Sequence, residues 1–379
     1  MYYWRLSGFY LFYFASLGAL IPYWGLYLKS LGFGSVEIGE LVAIIMATKI
    51  VAPNVWGWIA DHTGRRMAIV RAGCLFAALA FAGVFFGQSY WWLVLVMSVF
   101  SFFWNAALPQ FEATTLNHLG DQTHRYSSIR PWGSIGFILA VAGLGALFEQ
   151  AGTALLPRVL LGLLAAIWLS SLLVPESAAG HQALNEEPLR KVLKQPAVVS
   201  LLLVCFLLQA SHGPYYTFYS LYMVEHGYSE TVIGQLWALG VVAEIAVFLK
   251  MHHWLPRFGA RKLMLTAAAL TALRWFLIAL FVEQIWIMAF AQTLHAASFG
   301  VYHAVSIHLI HHLFTGRHQG RGQALYSSLS FGAGGAAGSL VAGYLWEGIG
   351  AQWTYILAAT TAVIAGWIAW RGVERVGHE

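Results

Sequence analysis

Four charged residues interrupt long apolar stretches of the sequence, namely Lys49, Glu112, Glu244 and Arg274. Placing such a charge at the centre of a membrane-spanning helix costs about 2.5–3.5 kcal/mol, so pairing or contact with water has to offset it. A lysine or arginine at that depth can bind an anion, and a glutamate can carry a proton or pair with a cation. Ionisable groups there are typical of substrate and proton pathways.

Lys49 and Arg130 are candidate binding residues for an anionic substrate. Lys49 lies inside an apolar segment, and its structural alternative is an ion pair with Glu40 or Glu112. Arg130 lies near the end of its segment, where a basic residue is easily accommodated. Glu112 is predicted to carry a proton, and the alternative is a salt bridge with Arg130. The sequence leaves both alternatives open.

Glu244, Arg274 and two histidines form a second candidate group. Glu244 and Arg274 fall on neighbouring apolar segments, which predicts a paired cluster that acts in proton coupling or as a static bridge. Arg274 is also a candidate substrate-binding residue. His295 and His303 are eight residues apart, just over two helical turns, so they share one helix face. They are predicted to relay protons or to hydrogen-bond a carboxylate, although a single histidine in a helix is often only structural.

The surrounding sequence is that of a membrane protein. Hydrophobic residues make up 59 % of the 379 residues and charged residues only 10 %, which is more apolar surface than a soluble fold can bury. The two cysteines, Cys74 and Cys205, indicate neither a disulfide framework nor a metal site. Twelve apolar segments have about the length of a membrane span: 6–28, 36–60, 67–87, 90–117, 131–149, 154–174, 197–224, 231–250, 263–282, 285–312, 323–346 and 352–370.

The two halves of the sequence are related by an internal repeat. Moved by 195 residues, 18–66 aligns without a gap on 213–261, and Lys49 aligns with Glu244. Eleven of the 49 positions are identical, and in the first copy these are Gly18, Leu26, Tyr27, Gly32, Ile38, Gly39, Leu41, Ala43, Ile50, Gly64 and Arg66. A duplicated membrane protein with ionisable groups near its midplane is typical of a secondary transporter.

The predicted fold is therefore an all-α membrane protein, with twelve transmembrane helices in two six-helix bundles related by the repeat. The predicted domains are 1–174 for the N-terminal bundle, 175–196 for a polar cytoplasmic linker with a short amphipathic segment, and 197–379 for the C-terminal bundle. Inner loops and tails hold 17 of the 21 Lys and Arg residues. This asymmetry predicts a multi-pass protein of a bacterial-type inner membrane with both termini in the cytoplasm.

The loop after the second span carries a spaced motif of glycine, aspartate and arginine, formed by Gly57, Asp61, Gly64, Arg65 and Arg66. It resembles the loop signature G-x-x-x-D-x-x-G-R-[RK] of the major facilitator superfamily. Asp61 is expected to pair with a loop arginine or to face a helix N-terminus, in a contact that can break when the access state changes. The alternative is a basic loop that only follows the positive-inside rule.

The stretch 208–244 resembles the 3-phenylpropionic acid transporter family most specifically, through LQASHGPYY followed by LWALGVVAE. The similarity extends over nearly all twelve spans. A more distant resemblance is to the lactose permease group of proton symporters, in which Glu112 and Arg130 match an acidic–basic substrate pair. Ser298 stands where that group has a second glutamate, so its proton route cannot be transferred directly.

Aromatic residues on the first and seventh spans occupy matching positions of the repeat. In this fold these spans line the central cavity, so their aromatic rings and the nearby cations suit an aromatic acid. The alternative is lipid-facing or interfacial packing. The candidate substrate-binding aromatics are Tyr23, Trp24, Tyr27, Tyr219 and Tyr222.

The resemblance implies a proton-coupled importer of a small organic acid, such as 3-phenylpropionate, that works by alternating access. Its expected partners are the substrate, protons and the lipid bilayer. No nucleic acid, metal or organic cofactor is expected, and the protein is expected to function as a monomer.

The sequence leaves three alternative functions open. The first two are a proton symporter for a sugar or nucleoside, and an uncoupled facilitator or exporter. The third, a di-iron membrane enzyme, rests on the pattern His308-Leu-Ile-His311-His312, but the two other histidine boxes of such enzymes are missing. The chain has no P-loop motif, which argues against an ATP-driven pump.

Overall fold

Helices joined by short connections make up the residues that the computed structural model describes, which are 2–176, 189–314 and 318–373. The α-helices are α1 Tyr3–Ser30, α2 Ser35–Thr63, α3 Arg66–Phe81, α4 Tyr90–Leu119, α5 Tyr126–Ile129, α6 Pro131–Ala151, α7 Leu156–Leu172, α8 Leu189–Leu193, α9 Pro196–Ser211, α10 Gly213–Glu225, α11 Glu230–Phe258, α12 Ala260–Leu280, α13 Ile285–Thr293, α14 Tyr302–Leu313, α15 His318–Ser327 and α16 Gly335–Gly372. Short 3₁₀ turns follow α3, α4 and α6, and π-helices cover Ala296–Val301 and Ser328–Gly334. The all-α prediction is confirmed.

The helices account for the twelve predicted membrane spans. Nine helices or helical runs among the described residues are long and apolar enough to cross a membrane. One of these, His318–Gly372, is divided by a break at Gly350 and so supplies two crossings. The 29-residue α2 and the run from α13 to α14 also exceed the roughly 20 residues that a span needs, which brings the total to twelve.

Matched glycines end equivalent helices in the two halves. Gly64 and Gly259, which align in the repeat, have φ angles of 66° and 78°. Gly152 and Gly350, which follow the fifth and eleventh spans, have 80° and 84°. A positive φ angle is unfavourable for residues with a Cβ atom, so glycine suits a sharp change of chain direction there. The repeat is therefore visible in the backbone as well as in the sequence.

The contacts divide the chain into two compact units. Unit 1 comprises Met1–His181 and Gly227–Ala238, and unit 2 comprises Gln182–His226 and Leu239–Glu379. The predicted domain boundaries stay a prediction, because 177–188 of the linker lie outside the described residues. The basic end of the linker forms the short helix α8. Each unit contains one buried cysteine, Cys74 in unit 1 and Cys205 in unit 2.

Unit 1 is held by aromatic packing between α1 and α4. The ring of Phe9 stacks on Phe111 with centroids 3.7 Å apart, and Tyr13 stacks on Trp104 at 5.1 Å. All four side chains are buried. Since both helices are apolar on most faces, these ring contacts determine which face of α1 turns inward.

Unit 2 is built on contacts of α16 with α9, α10 and α12. A Cβ atom at Gly213 would collide with the backbone of Gly338, and one at Gly338 would collide with the carbonyl of Ala210. The backbones therefore touch, as small residues allow in membrane helices. Close to this contact, Phe218 of α10 stacks on Trp346 of α16 at 4.6 Å.

A second close contact joins α6 to the start of α11 within unit 1. The hydroxyl of Tyr23 donates a 2.6 Å hydrogen bond to the carbonyl oxygen of Val141. A Cβ atom at Gly234 would lie 2.7 Å from that hydroxyl oxygen, and one at Gly145 would lie 2.9 Å from it. Both distances are shorter than a Cβ contact permits, so the two helices pack this closely because both positions are glycine.

We therefore expect Gly234→Ala to lower the thermal stability of the purified protein in detergent. The added methyl group meets backbone and a hydrogen-bonded hydroxyl that cannot move easily, and overpacking of this kind costs about 1–3 kcal/mol. The matched control is Gly143→Ala on α6, because a Cβ atom there meets no atom within 4 Å. The control should keep or slightly raise the melting temperature, since alanine favours a helix. Equal melting temperatures for the two variants would show that the contact is not tight.

Candidate functional site

Unit 2 encloses a buried cation, Arg274 of α12, whose side chain is inaccessible to solvent. Its Nη1 atom donates to Nδ1 of His295 and to Oγ of Ser298, each at 3.0 Å. Its Nη2 atom donates to Oε1 of Gln292, also at 3.0 Å. The acceptors are neutral groups in a helical stretch that passes from α13 into the first π-helix.

Glu244 of α11 completes this cluster through His295. Its Oε2 atom lies 3.3 Å from Nε2 of the imidazole. Among the described residues, no ion pair joins Glu244 directly to Arg274. The predicted cluster of Glu244 with Arg274 is therefore corrected: the two charges share a cluster, but the imidazole lies between them and prevents direct contact.

The hydrogen-bond pattern assigns the tautomer of His295. Because Arg274 can only donate, Nδ1 has to accept and therefore carries no proton. Nε2 then carries the proton, and its N–H group is directed at the carboxylate of Glu244. The imidazole is neutral in this arrangement and connects an anion to a cation. A second proton on the ring would set two donors against each other at Nδ1.

Aromatic faces cover the guanidinium group of Arg274. The centroid of the Tyr215 ring lies 4.1 Å from its Cζ atom, and that of Trp275 lies 4.8 Å away. The Tyr215 hydroxyl donates to Oε1 of Gln292 at 2.9 Å, so this oxygen accepts two hydrogen bonds. Cation–π attraction and neutral acceptors thus stabilise the buried charge.

The π-helix Ala296–Val301 shapes the cluster locally. Such segments occur frequently at functional sites, because the extra residue per turn disturbs the regular helix. A Cβ atom at Gly300 would lie 3.3 Å from Cγ of Glu244, so the glycine leaves room for the glutamate. The irregular helix and the glycine together allow Glu244 to approach the imidazole.

His303 lies on the same face as His295, as predicted, but Phe299 separates the two rings. Phe299 stacks on His295 at 5.4 Å and on His303 at 5.7 Å. The Nδ1 atom of His303 is 2.9 Å from the hydroxyl oxygen of Tyr326. A phenyl ring has no group that transfers a proton, so the stack does not provide a direct relay between the histidines.

Lys49 is half-buried on α2 in unit 1. Among the described residues, no carboxylate forms an ion pair with it, so the structural alternative for Lys49 is not formed. Glu40 instead accepts a hydrogen bond from Tyr90, and Glu112 lies near Arg130. Lys49 thus places a positive charge in an apolar segment of α2, and its role in substrate binding stays a prediction.

Glu112 and Arg130 form a long ion pair, with Oε1 and Nε 3.8 Å apart. The Tyr126 hydroxyl lies 3.4 Å from the same carboxylate oxygen, and the Arg130 guanidinium covers the Phe14 ring at 4.1 Å. The two charged side chains are 38 % and 33 % exposed. An exposed ion pair of this length is weak, so the pair can open easily. Their roles in proton carriage and substrate binding stay predictions.

The five candidate aromatics pack inside their own units. Tyr23 contacts Phe148 with ring centroids 5.0 Å apart, and Tyr222 contacts Trp346 at 5.6 Å. Their exposed fractions are 0 % for Tyr23, 1 % for Trp24, 4 % for Tyr27, 0 % for Tyr219 and 5 % for Tyr222. Their contribution to substrate binding stays a prediction, since in this structure they contact other aromatic side chains.

The loop motif forms a polar network at the junction of α2 and α3. Asp61 pairs with Arg66 at 2.6 Å, and Arg66 also donates to Oε1 of Gln110 at 2.9 Å. Gly57 lies beside the same glutamine, while Gly64 ends α2 and Arg65 immediately precedes α3. Asp61 thus has the predicted loop-arginine partner.

Sequence reasoning missed two parts of these clusters. Gln292 is not among the predicted site residues, although polar residues at 292, 295 and 298 recur every three residues in an apolar span. That spacing was the available signal for an Arg274 partner. In unit 1, Thr48 bonds Ser101 and Asn105, each at 2.9 Å, beside Lys49 in the sequence. Among the described residues, no three His, Cys, Asp or Glu side chains are placed to hold a metal ion.

Comparison with known proteins identifies relatives over nearly the whole chain. The chain matches the family described as "MFS_1 like family" over residues 3–357. It is 29 % identical over 369 residues to a probable 3-phenylpropionic acid transporter of Escherichia coli (strain K12), covering 93 % of this chain and 94 % of that protein. It is 28 % identical over 341 residues to a maltose permease of Geobacillus stearothermophilus, covering 89 % and 86 %. A mutant of the nucleoside transporter NupG shares the fold with a TM-score of 0.87 at 16 % identity, covering 99 % and 100 %.

Proposed function

Because the chain belongs to the MFS_1-like family and is a transporter of the major facilitator superfamily, we propose that it imports a small organic acid together with protons. The cargo proposed is an aromatic acid such as 3-phenylpropionate, carried by alternating access. The protein lies in a bacterial-type inner membrane with both termini in the cytoplasm. The family match supports the transport class, and the name of the Escherichia coli relative supports the cargo.

The hydrogen-bonded chain from the partly buried Glu244 through His295 to the fully buried Arg274 is the observation that carries the proposal. When Glu244 takes up a proton, the cluster loses its negative charge while Arg274 remains a cation. An anionic substrate then binds more favourably, and the bound anion in turn favours the protonated glutamate. This reciprocal effect is how one binding event couples to another.

The other candidate residues add positive charge and apolar surface. Lys49 and Arg130 contribute to the attraction of an anion, and Glu112 with Arg130 forms a second group in which a proton can change the charge. Tyr23, Trp24, Tyr27, Tyr219 and Tyr222 are proposed to contact the aromatic part of the cargo. In another access state, these residues would exchange their present ring contacts for contacts with the cargo.

A sugar or nucleoside symporter is the second candidate. The maltose permease is nearly as similar in sequence as the 3-phenylpropionic acid transporter. This similarity supports an uncharged cargo as the second candidate. The buried Arg274 favours an anion over a sugar, because it is a cation without a directly paired carboxylate. An uncoupled facilitator or exporter would not need the hydrogen-bonded chain from Glu244 through His295 to Arg274.

Uptake of labelled 3-phenylpropionate into proteoliposomes tests the function. With the interior alkaline, we expect accumulation above the level in empty liposomes, and a protonophore should remove it. Accumulation that ignores the protonophore would overturn proton coupling. Uptake equal to that of empty liposomes would overturn the cargo, and labelled sugars and nucleosides would then be tested in the same way.

Lys49→Ala should reduce the initial rate of this uptake by about tenfold or more at low substrate concentration. Loss of about 1.4 kcal/mol of attraction for the anion is enough for that change. Lys29→Ala is the matched control, because Lys29 is exposed at the end of α1 and should leave the rate unchanged. Equal rates for the two variants would remove Lys49 from the binding of the anion.

A further inference from the structure

We propose that Arg274 and Gln292 together bind the carboxylate group of the substrate, with Gln292 as a specificity-determining residue. The proposal rests on the function proposed above, because it assumes an anionic cargo. It adds a site for the anion and a residue that is not among the predicted site residues.

The orientation of the Gln292 amide is fixed by its neighbours. Its Oε1 atom accepts from Nη2 of Arg274 at 3.0 Å and from the hydroxyl of Tyr215 at 2.9 Å. An amide nitrogen could not accept from the guanidinium group, so the oxygen has to face Arg274. The amide nitrogen, with its two N–H groups, therefore points away from these donors.

Two hydrogen-bond donors of the pair are buried without an acceptor. Nε2 of Gln292 and Nε of Arg274 have no hydrogen-bond partner among the described residues, and both side chains are fully buried. Buried donors in folded proteins are nearly always paired. The two side chains are joined by a hydrogen bond, so the unpaired donors lie in one local group, where an oxygen acceptor of the substrate can pair with them.

The charge and shape of the group select a carboxylate. A guanidinium group binds carboxylates through its parallel N–H groups, and bonds between ionised partners are the strong ones. No carboxylate of the described residues forms an ion pair with Arg274. The rings of Tyr215 and Trp275 lie over the guanidinium at 4.1 and 4.8 Å, which favours a planar anion at its edge.

The π-helix that follows Gln292 provides a way for the carboxylate site to open. Gln292 is the second-last residue of α13, and the π-helix begins at Ala296. The π geometry is less favourable than an α-helix and is retained mostly at functional sites. A small change in this segment moves Gln292 relative to Arg274 without unfolding a regular helix.

Binding of 3-phenylpropionate to the purified full chain, measured by tryptophan fluorescence, tests the proposal. Gln292→Glu keeps the side-chain shape but places a carboxylate next to Arg274, and we expect it to weaken binding by at least about a hundredfold, since one fixed anion replaces another. Gln292→Leu removes both N–H donors and should weaken binding by at least about tenfold. The matched control is Gln209→Leu, a buried glutamine of the same unit, which should keep the affinity of the wild type.

The outcomes separate the two proposals. If the wild type does not bind 3-phenylpropionate, the cargo itself is wrong and this site fails with it. If the wild type binds but Gln292→Glu and Gln292→Leu bind equally well, the carboxylate site alone is overturned. A melting curve of each variant checks its folding, and Gln292→Glu decides the question if the leucine variant is unfolded. The methyl ester of the substrate gives a further readout, because Gln292→Glu should remove the preference for the acid over the ester.

Discussion

Glu244→Gln should abolish proton-driven accumulation of the substrate while leaving exchange of internal for external substrate intact. Glutamine resembles the protonated glutamate and cannot release a proton, so the chain through His295 to Arg274 is held in its anion-binding form. A gradient of one pH unit supplies about 1.4 kcal/mol, which supports tenfold accumulation with one proton in the wild type. The variant should reach only equal concentrations on both sides of the membrane.

Two assays in proteoliposomes check this result, net accumulation under an inside-alkaline gradient and counterflow without a gradient. Glu40→Gln is the matched control, because Glu40 also lies on a spanning helix but accepts a hydrogen bond from Tyr90. The control should accumulate substrate like the wild type. The coupling role of Glu244 would be refuted by accumulation in its glutamine variant, and loss of counterflow as well would indicate a binding or folding defect.

Arg274→Met should lower the free energy of unfolding by about 3–5 kcal/mol, because it removes one member of a buried charged cluster. Methionine fills part of the volume but leaves the acceptors on Gln292, His295 and Ser298 without their donor. It also leaves the partly buried carboxylate of Glu244 with no cation on the far side of the His295 imidazole. The measurement is the melting temperature, or the denaturant midpoint, of the purified protein in detergent.

The double variant Arg274→Met/Glu244→Gln distinguishes a charge effect from a packing effect. If the isolated carboxylate causes most of the loss, the double variant should recover part of the stability, and the two changes will not be additive. Arg158→Met is the control, because that arginine is exposed on α7 and its replacement should change stability by no more than about 0.5 kcal/mol. An Arg274→Met variant as stable as this control would contradict the prediction.

The fold could be predicted from the sequence because its signals are long and repeated. Twelve apolar segments and a gap-free repeat leave few alternatives, and each segment corresponds to a helix or helical run. Charges in apolar segments indicated Glu244 and Arg274, which the structure brings into one cluster of unit 2 through His295.

The contacts within the cluster could not be predicted with the same success. Spacing arguments assume a regular α-helix, whereas a π-helix follows His295 and changes the direction of the residues beyond it. The sequence also does not fix how α11, α12 and α13 are rotated against one another, so it did not reveal that His295 separates Glu244 from Arg274, or that Gln292 accepts from Arg274. The aromatic residues present a different difficulty. On helices that are apolar all round, the pattern alone does not tell which face packs inside a bundle, and Tyr23 is hydrogen-bonded within its own unit.

The burial of both native thiols makes the wild-type chain a suitable background for site-directed labelling. Cys74 is 3 % exposed and Cys205 is inaccessible, with its sulfur 3.3 Å from the hydroxyl of Ser306. A water-soluble maleimide therefore has no exposed native sulfhydryl to modify. A fluorophore or spin label attached to one introduced cysteine will report that position alone, so distance measurements during the transport cycle can begin without first replacing the native residues.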